Sequence, residues 1–264
     1  MSNAQAAFIR KARRKKFAIL LLQILFLILF IALWEISTHI GLLDAFIFSS
    51  PGRIVLCFLE MAKDGSIFYH IGITLGETFL SFFLVILLGI LLAVLLWWNH
   101  WAARITEPYL VVLNSLPKTA LAPVFIVWLG NNIKTIIVAA VSVAVFSTTI
   151  TLYNSFQEMD PEKIKMIRTL GGTKKDILCK LILPGNLPSI VSMMKVDIGL
   201  TLVGVIIGEF LAARAGLGYL IVYATQVFKM DYVLLSIVIL CLISTGLYLL
   251  ISLFEKIFLR FYRS

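Results

Sequence analysis

Long apolar runs dominate the chain, and they are separated by short polar segments. FAILLLQILFLILFIALW begins at Phe17, and runs of the same kind recur to the end of the sequence. Several exceed the ~18 residues needed to cross a bilayer core. Six spans are expected, near Phe17–His39, His70–Trp98, Arg104–Leu129, Lys134–Phe156, Ser189–Ala212 and Tyr232–Phe254. All six are expected to be helices, because an open strand edge cannot satisfy its backbone groups in lipid. Pro117 and Pro123 should break the third. Between the first two spans, Ser50 and Pro51 are a cap and first-turn pair for a surface helix. Arg53, Glu60, Lys63 and Asp64 give that helix a charged stripe, and Gly65 ends it.

Composition supports this pattern. Of 264 residues, 61 % are hydrophobic and 14 % charged, and the mean hydropathy is +1.01. The fold class is all-α, a polytopic membrane protein. A net charge of +9 would suggest nucleic acid in a soluble domain. Here the charges sit in loops and tails, so membrane topology is the reading and no nucleic-acid partner is expected. With the N-terminus inside, the inner segments hold six Lys and Arg at the N-terminus, Arg104, six from Lys163 to Lys180, and three at the C-terminus. That is sixteen against five outside, which places both termini in the cytoplasm of a multi-pass cell-membrane protein. Residues 1–16 read as a basic cytoplasmic tail and 17–264 as the membrane domain. The first apolar run is too long for a signal peptide and lacks a small-residue cleavage site, so it reads as a retained span. Cys57, Cys179 and Cys241 fall on different sides or depths, so no disulfide framework is expected. No Cys/His cluster has metal-ligand spacing, and His39, His70 and His100 read as interface residues.

One segment interrupts the apolar pattern. Residues 157–185 include RTLGGTKKDILCKLILPG. Asp160 can cap a helix starting at Pro161, with Ile164, Ile167 and Leu170 on one face. Gly171 and Gly172 stop it and permit a sharp turn. Thr173 and Asp176 have capping-box spacing for a second helix with the stripe Ile177, Leu178, Leu181 and Ile182. Pro184 and Pro188 should end that helix before the fifth span. The result is a basic helix–turn–helix on the cytoplasmic side. It is either a loop resting on anionic lipid or a rigid lever for a soluble partner.

RTLGG followed by LILPGNLP resembles the cytoplasmic signature loop of binding-protein-dependent ABC importer permeases. Gly171 takes that loop's glycine, and Leu181, Leu183 and Pro184 take its Ile and Leu-Pro positions. The chain departs at Lys165, Met166 and Ile167, where Glu-Ala-Ala is usual. LPKTALAPVFIVWLG, SSPGRI and EFLAARAGLGYLI resemble the nitrate, taurine and alkanesulfonate branch. His70, Thr74 and Leu75 fit that branch's second-span motif, but Glu77 stands where the branch has arginine.

The resemblance implies a non-catalytic, pore-forming permease that pairs with a second permease chain, a homodimer being expected. Two ATPase subunits bind below, and an extracytoplasmic binding protein delivers a sulfonate, nitrate or vitamin-precursor-like solute. ATP and Mg are expected on the ATPase partner, since this chain has no G-x-x-x-x-G-K-[ST] loop and no cofactor of its own. The implied ATPase-coupling residues are Lys165, Ile167, Arg168, Leu170, Gly171, Gly172, Lys174, Lys175, Leu183 and Pro184. Intramembrane polar residues are candidates for the translocation pathway: Asn114, Ser115, Lys118, Lys195, Asp197 and Glu209. Glu209 has a second reading, as a cap for the Gly-Leu-Gly turn that follows it. Lys195 has a second reading too, as a snorkelling surface residue. Glu35 and Glu77 lie towards the outer surface; Glu35 reads as reaching water, and for Glu77 that reading stands beside a functional one. Gly199, Gly204 and Gly208 suggest close helix packing, either between subunits or within one. Rival readings are an ion-coupled secondary transporter and a non-transporting scaffold. Against the former, no pair of interrupted helices recurs in two halves.

Overall fold

The computed structural model describes residues 3–262, with side chains of the first helix from Arg14 onward except Lys16. The side chains of Arg10, Lys11, Arg13 and Lys16 in the basic tail therefore lie outside the described residues. The chain forms α1 (Asn3–His39), α2 (Ala45–Phe48), α3 (Pro51–Lys63), α4 (Ser66–Trp98), α5 (His100–Ser115) and α6 (Lys118–Leu129). Then follow α7 (Ile133–Gln157), α8 (Pro161–Thr169), α9 (Lys174–Ile177), a π-helical turn (Leu178–Ile182), α10 (Leu183–Ala212), α11 (Leu217–Gln226) and α12 (Met230–Tyr262). Five of these helical stretches are long and apolar enough to cross a membrane. Counting the bent pair α5 and α6 as one span makes six.

Two compact units can be distinguished, one of residues up to Asp64 with Ala224–Leu235, the other of Gly65–Tyr223 with Ser236–Ser264. In the first unit, Ser50 caps α3 and Pro51 occupies its first turn. Glu35 also serves this helix end. Its carboxylate accepts the Gly52 N–H at 2.8 Å and the Ser50 hydroxyl at 3.4 Å. The expectation that Glu35 merely reaches water is thus corrected, since a helix N-terminus offers unpaired N–H groups and favours negative charge. Arg53 pairs with Asp231 at 2.8 Å, and Ser49 donates to the same carboxylate at 2.6 Å. The Cys57 thiol is buried, and burial, with Asp231 and Glu60 nearby, pushes its pKa up to about 11. It is therefore a packing residue rather than a reactive thiol.

The second unit is built around α4, α7 and α10. The helices approach closely because small residues line their contacts. A Cβ on Gly204 would sit 2.6 Å from the Ala140 Cα, and one on Gly208 would sit 2.8 Å from the Ile136 Cα. Ala139, Ala140 and Ala144 of α7 are buried. Gly204 and Gly208 thus pack within one chain, against α7. Gly199 differs, since nothing lies within 4 Å of where its Cβ would be. Within this chain it therefore makes no close helix contact.

Two expectations about proline are also corrected. Pro188 does not end a helix: it lies inside α10, and α9, the π turn and α10 form one 39-residue stretch, Lys174–Ala212. The π turn just before Pro184, which occupies the first turn of α10, accommodates the change in hydrogen-bond register. In the third span the break falls at Leu116–Pro117, where α5 and α6 meet at 97°, while Pro123 lies within α6. Substitution of Gly204 by Ala should destabilise the chain by about 1–3 kcal/mol, because a backbone atom of α7 must move. Gly199→Ala should change stability by less than about 1 kcal/mol. Thermal unfolding of the two variants in detergent checks the contrast.

Candidate functional site

The helical hairpin α8–α9 is assembled from local rules. Asp160 accepts the Glu162 N–H at 2.9 Å, and Pro161 starts α8. The far end of α8 is a Schellman turn. Gly172 N–H bonds the Ile167 carbonyl at 2.9 Å and Gly171 N–H bonds that of Arg168 at 3.0 Å. Gly171 takes φ +81°, with open space where a Cβ would point. Gly172 is limited by room instead: a Cβ there would collide with the Ile167 side chain and come within 2.8 Å of its carbonyl oxygen. Gly171 is therefore required by conformation, Gly172 by contact. Thr173 and Asp176 complete a capping box on α9. Lys180 adds an ion pair to Asp176 at 2.7 Å.

One side of the hairpin is packed. Ile177, Leu178 and Ile182 are buried with Leu152 and Phe156 of α7 and Ala93 of α4, and Ile164, Ile167, Leu181 and Leu183 lie against them. The other side is open. Lys165, Met166, Arg168, Leu170, Gly171 and Lys175 are exposed, Leu170 by 78 %. Leu170, on one helix face with Ile164 and Ile167 by spacing, lies at the exposed tip and outside their cluster. Lys174, also exposed, reaches toward α4, donating to the Trp98 carbonyl and lying 5.6 and 5.5 Å from the ring centres of Trp97 and Trp98. That cation–π seat ties the hairpin to the end of α4. The Pro184 carbonyl accepts the Tyr262 hydroxyl at 2.9 Å. Leu183, Pro184 and Lys174 therefore anchor the hairpin from within, while the residues of the tip are free to meet a partner.

The opposite end of α10 holds a second polar centre. Glu209, 1 % exposed, accepts the Thr74 hydroxyl at 2.7 Å and the Gly218 N–H. The Thr74 oxygen accepts the Leu217 N–H at 2.8 Å, and His70 Nδ1 accepts the Gly216 N–H at 3.0 Å. A Cβ at Gly216 would run into the Glu209 carboxyl, and Gly216 itself takes φ +112°. The motif residues His70 and Thr74 thus bind the Gly216–Gly218 turn, and Glu209 caps it. Glu77, for which contact with water was one of two open readings, is only 5 % exposed. His70 is likewise more than an interface residue. Its position four before Thr74 was the available signal, but its partner turn lies 146 residues away.

The pathway candidates separate. Asn114 and Ser115 are exposed at the 97° break, and Lys118 donates to the Asn114 carbonyl that the break frees. Lys195 pairs with Glu255 at 2.7 Å, and Ser192 donates to the same carboxylate. Glu255, on α12, was not singled out from the sequence, because it lies beyond the expected end of the sixth span. Asp197 is 1 % exposed and accepts the Thr148 hydroxyl at 2.9 Å. Asp197 and Glu209 are therefore interior residues of this chain, and neither side chain lines an open surface within it.

This helical architecture, with a capped hairpin continuous with a long apolar helix, is that of a transporter membrane subunit. Residues 85–264 match the family model of the binding-protein-dependent transport system inner membrane component, and the chain belongs to that family. It is 30 % identical over 196 residues to the formylaminopyrimidine transport permease ThiX of Halalkalibacterium halodurans, covering 74 % of this chain and 77 % of that one. Against the riboflavin transport system permease RibX of Chloroflexus aurantiacus the identity is 27 % over 234 residues, covering 89 % and 87 %. An inward-facing structure of the methionine ABC transporter MetNI matches with a TM-score of 0.65 at 19 % identity, over 74 % of this chain and 97 % of that one. The chain is accordingly an ABC importer permease subunit rather than an enzyme.

Two outcomes follow from the polar centres. Thr74→Val should cost on the order of 3 kcal/mol, because the Leu217 N–H and a Glu209 oxygen lose their shared partner in the interior. Thr74→Ser should recover most of it in thermal unfolding. At the hairpin, hydrogen bonds from Lys180 and Thr173 hold the Asp176 carboxyl well below the usual carboxylate range. A depressed folded-state pKa means that this stabilisation is complete above about pH 4 and is lost as pH falls below it. Protection of the α9 amides, taken relative to their intrinsic exchange rate at each pH, should therefore fall on acidification, and Asp176→Asn should show the lower protection already at neutral pH.

Proposed function

We propose that the exposed tip of the hairpin is the handle by which ATPase subunits drive this permease. The supporting observation is the unbroken helix from Lys174 to Ala212. At ~1.5 Å per residue its helical path is about 60 Å long, so displacement at the tip is carried into the membrane segment by one helical stretch. Inverting a two-state equilibrium from 1:99 to 99:1 requires about 5.5 kcal/mol of differential interaction. A capped and packed hairpin can transmit such a bias, whereas a floppy loop would dissipate it.

The tip also suggests its socket. Leu170 and Met166 are exposed apolar side chains among Lys165, Arg168 and Lys175. A complementary ATPase groove has an apolar floor and an acidic rim, in keeping with Lys165 standing where the signature loop usually has glutamate. Both termini and the hairpin face the cytoplasm in this reading, a second copy of the chain completes the pathway, and a binding protein docks on the opposite side. ATP and Mg belong to the ATPase. The broken third span, with Asn114, Ser115 and Lys118, lines the route. The solute is a sulfonate or a vitamin-related nitrogen heterocycle, the compound classes named for the sulfonate permease of Bacillus subtilis and for ThiX and RibX.

Reconstituting the chain with its ATPase and binding protein tests this. Gly171→Val must adopt an αL conformation that costs a side-chain-bearing residue ~1–2 kcal/mol. It should abolish solute uptake and the stimulation of ATP hydrolysis while the chain still inserts. Uptake by this variant at the wild-type rate, or by the permease without any ATPase, would overturn the proposal. Mass spectrometry of the compound carried by the binding protein identifies the solute.

A further inference from the structure

Glu77 is buried in the second unit, and its Oε2 has no hydrogen-bond partner. Buried polar oxygens are nearly always paired, so this one points to a missing donor. The helix that carries it supplies none. The Thr74 hydroxyl donates to Glu209, and the Thr78 hydroxyl donates to the Thr74 carbonyl. The Ser81 hydroxyl, one turn further along the same face of α4, is buried and finds no partner either. Among the described residues no ion pair includes Glu77. Glu77 borders a cavity of about 270 Å³. The walls include the buried Ile136 and Ala212, and the exposed Tyr69, Asn131 and Arg214 form the mouth. Asn132 also lines it but is committed to capping α7, accepting the Lys134 N–H at 2.9 Å and donating to the Leu129 carbonyl at 2.6 Å.

We propose that this cavity binds the transported solute on its way in, and that Glu77 accepts a hydrogen bond from an N–H group of that solute. The inference rests on the reading of the chain as a solute permease, and it decides between the two solute classes named above. The cavity lies between the start of α4, the α6–α7 connection and the end of α10. With the hairpin in the cytoplasm, all three are at the outer end of the helices, the side on which the binding protein docks. Its volume is at the small end of ligand pockets, which run from ~300 to 1,000 Å³, and suits a single-ring molecule. An amino-substituted nitrogen heterocycle brings flat apolar faces for Ile136 and Ala212 and an N–H edge for Glu77. A sulfonate head presents only acceptor oxygens, and these would face the unpaired acceptor of Glu77.

Arg214 is the one lining group that would favour a sulfonate. It is exposed at the mouth, and exposed ion pairs contribute little because water competes for both charges. The buried acceptor discriminates far more strongly. A solute without a donor leaves Glu77 unpaired in the interior, and that penalty is what makes hydrogen-bonding pockets selective. Glu77 is therefore the specificity-determining residue of this cavity, and Arg214 adjusts affinity only.

The experiment titrates the full chain in detergent, without ATPase or binding protein, and follows binding by ligand-observed NMR. The probes are aminopyrimidine, its N,N-dimethyl derivative, which keeps the ring but has no N–H, and ethanesulfonate. Aminopyrimidine should bind at least about tenfold more tightly than either of the others. Glu77→Leu should erase that preference. It removes an unpaired polar group from the interior, so its melting temperature should equal or exceed that of the wild type. Arg214→Gln should keep the preference. Equal binding of the two pyrimidines, tighter binding of ethanesulfonate, no binding of any probe, or an unchanged preference in a folded Glu77→Leu would overturn the proposal. None of these results bears on the ATPase handle, since no nucleotide or partner is present. Selective binding here without ATP-driven uptake would support this site and sink the handle alone.

Discussion

One continuous helix governs this molecule, capped at the hairpin by Thr173 and Asp176 and tethered near its far end through Glu209. Everything else in the second unit is arranged along it. Its hairpin end shares an apolar cluster with α4 and α7. Its middle lies against α7 so closely that only glycine fits at residues 204 and 208. Beyond Ala212 the chain must turn at once, and the buried carboxylate supplies acceptors for the N–H groups of that turn. Shortening, kinking or releasing this rod at any point would separate the hairpin from the membrane helices it is built to move.

Polar groups are placed where the helices need a fixed register. Apolar packing tolerates small slides between helices, but a buried hydrogen bond does not, because its loss leaves an unsatisfied group in the interior. Thr148 with Asp197, Ser155 with Asn186 and Thr74 with Glu209 are such pins between neighbouring helices. Lys195 and Glu255 form a partly exposed pair between α10 and α12. These residues invite a transport role from sequence, since charge in a membrane span is costly. Partners within the same chain offset that cost for Lys195 and Glu209, while Asp197 keeps one buried carboxylate oxygen without a hydrogen-bond partner.

The hairpin separates two demands that a linear reading merges. A single amphipathic stripe must both hold the element to the membrane helices and meet a partner. Ile164, Ile167, Ile177 and Ile182 serve the first task, which leaves Met166 and Leu170 for the second. The lysines are all exposed, but Lys174 is seated on Trp97 and Trp98. Helix periodicity alone cannot make this division, since Leu170 lies at the C-cap, where the backbone is already leaving the helix.

Local rules made much of the chain readable. Apolar run length marked the spans, and the caps at Ser50, Asp160 and Thr173, together with the Gly171 turn, followed from short-range hydrogen-bond chemistry that a few neighbouring residues suffice to specify. The expected break in the third span came from the same source. What only the tertiary structure decided depends on residues far apart in sequence. The pairing of Thr74 with Glu209, of His70 with Gly216 and of Lys195 with Glu255 joins separate elements. So does the choice between open space at Gly199 and backbone contact at Gly204. Periodicity gives the face of a helix on which a residue lies, but which neighbour occupies that face is settled by how the helices pack.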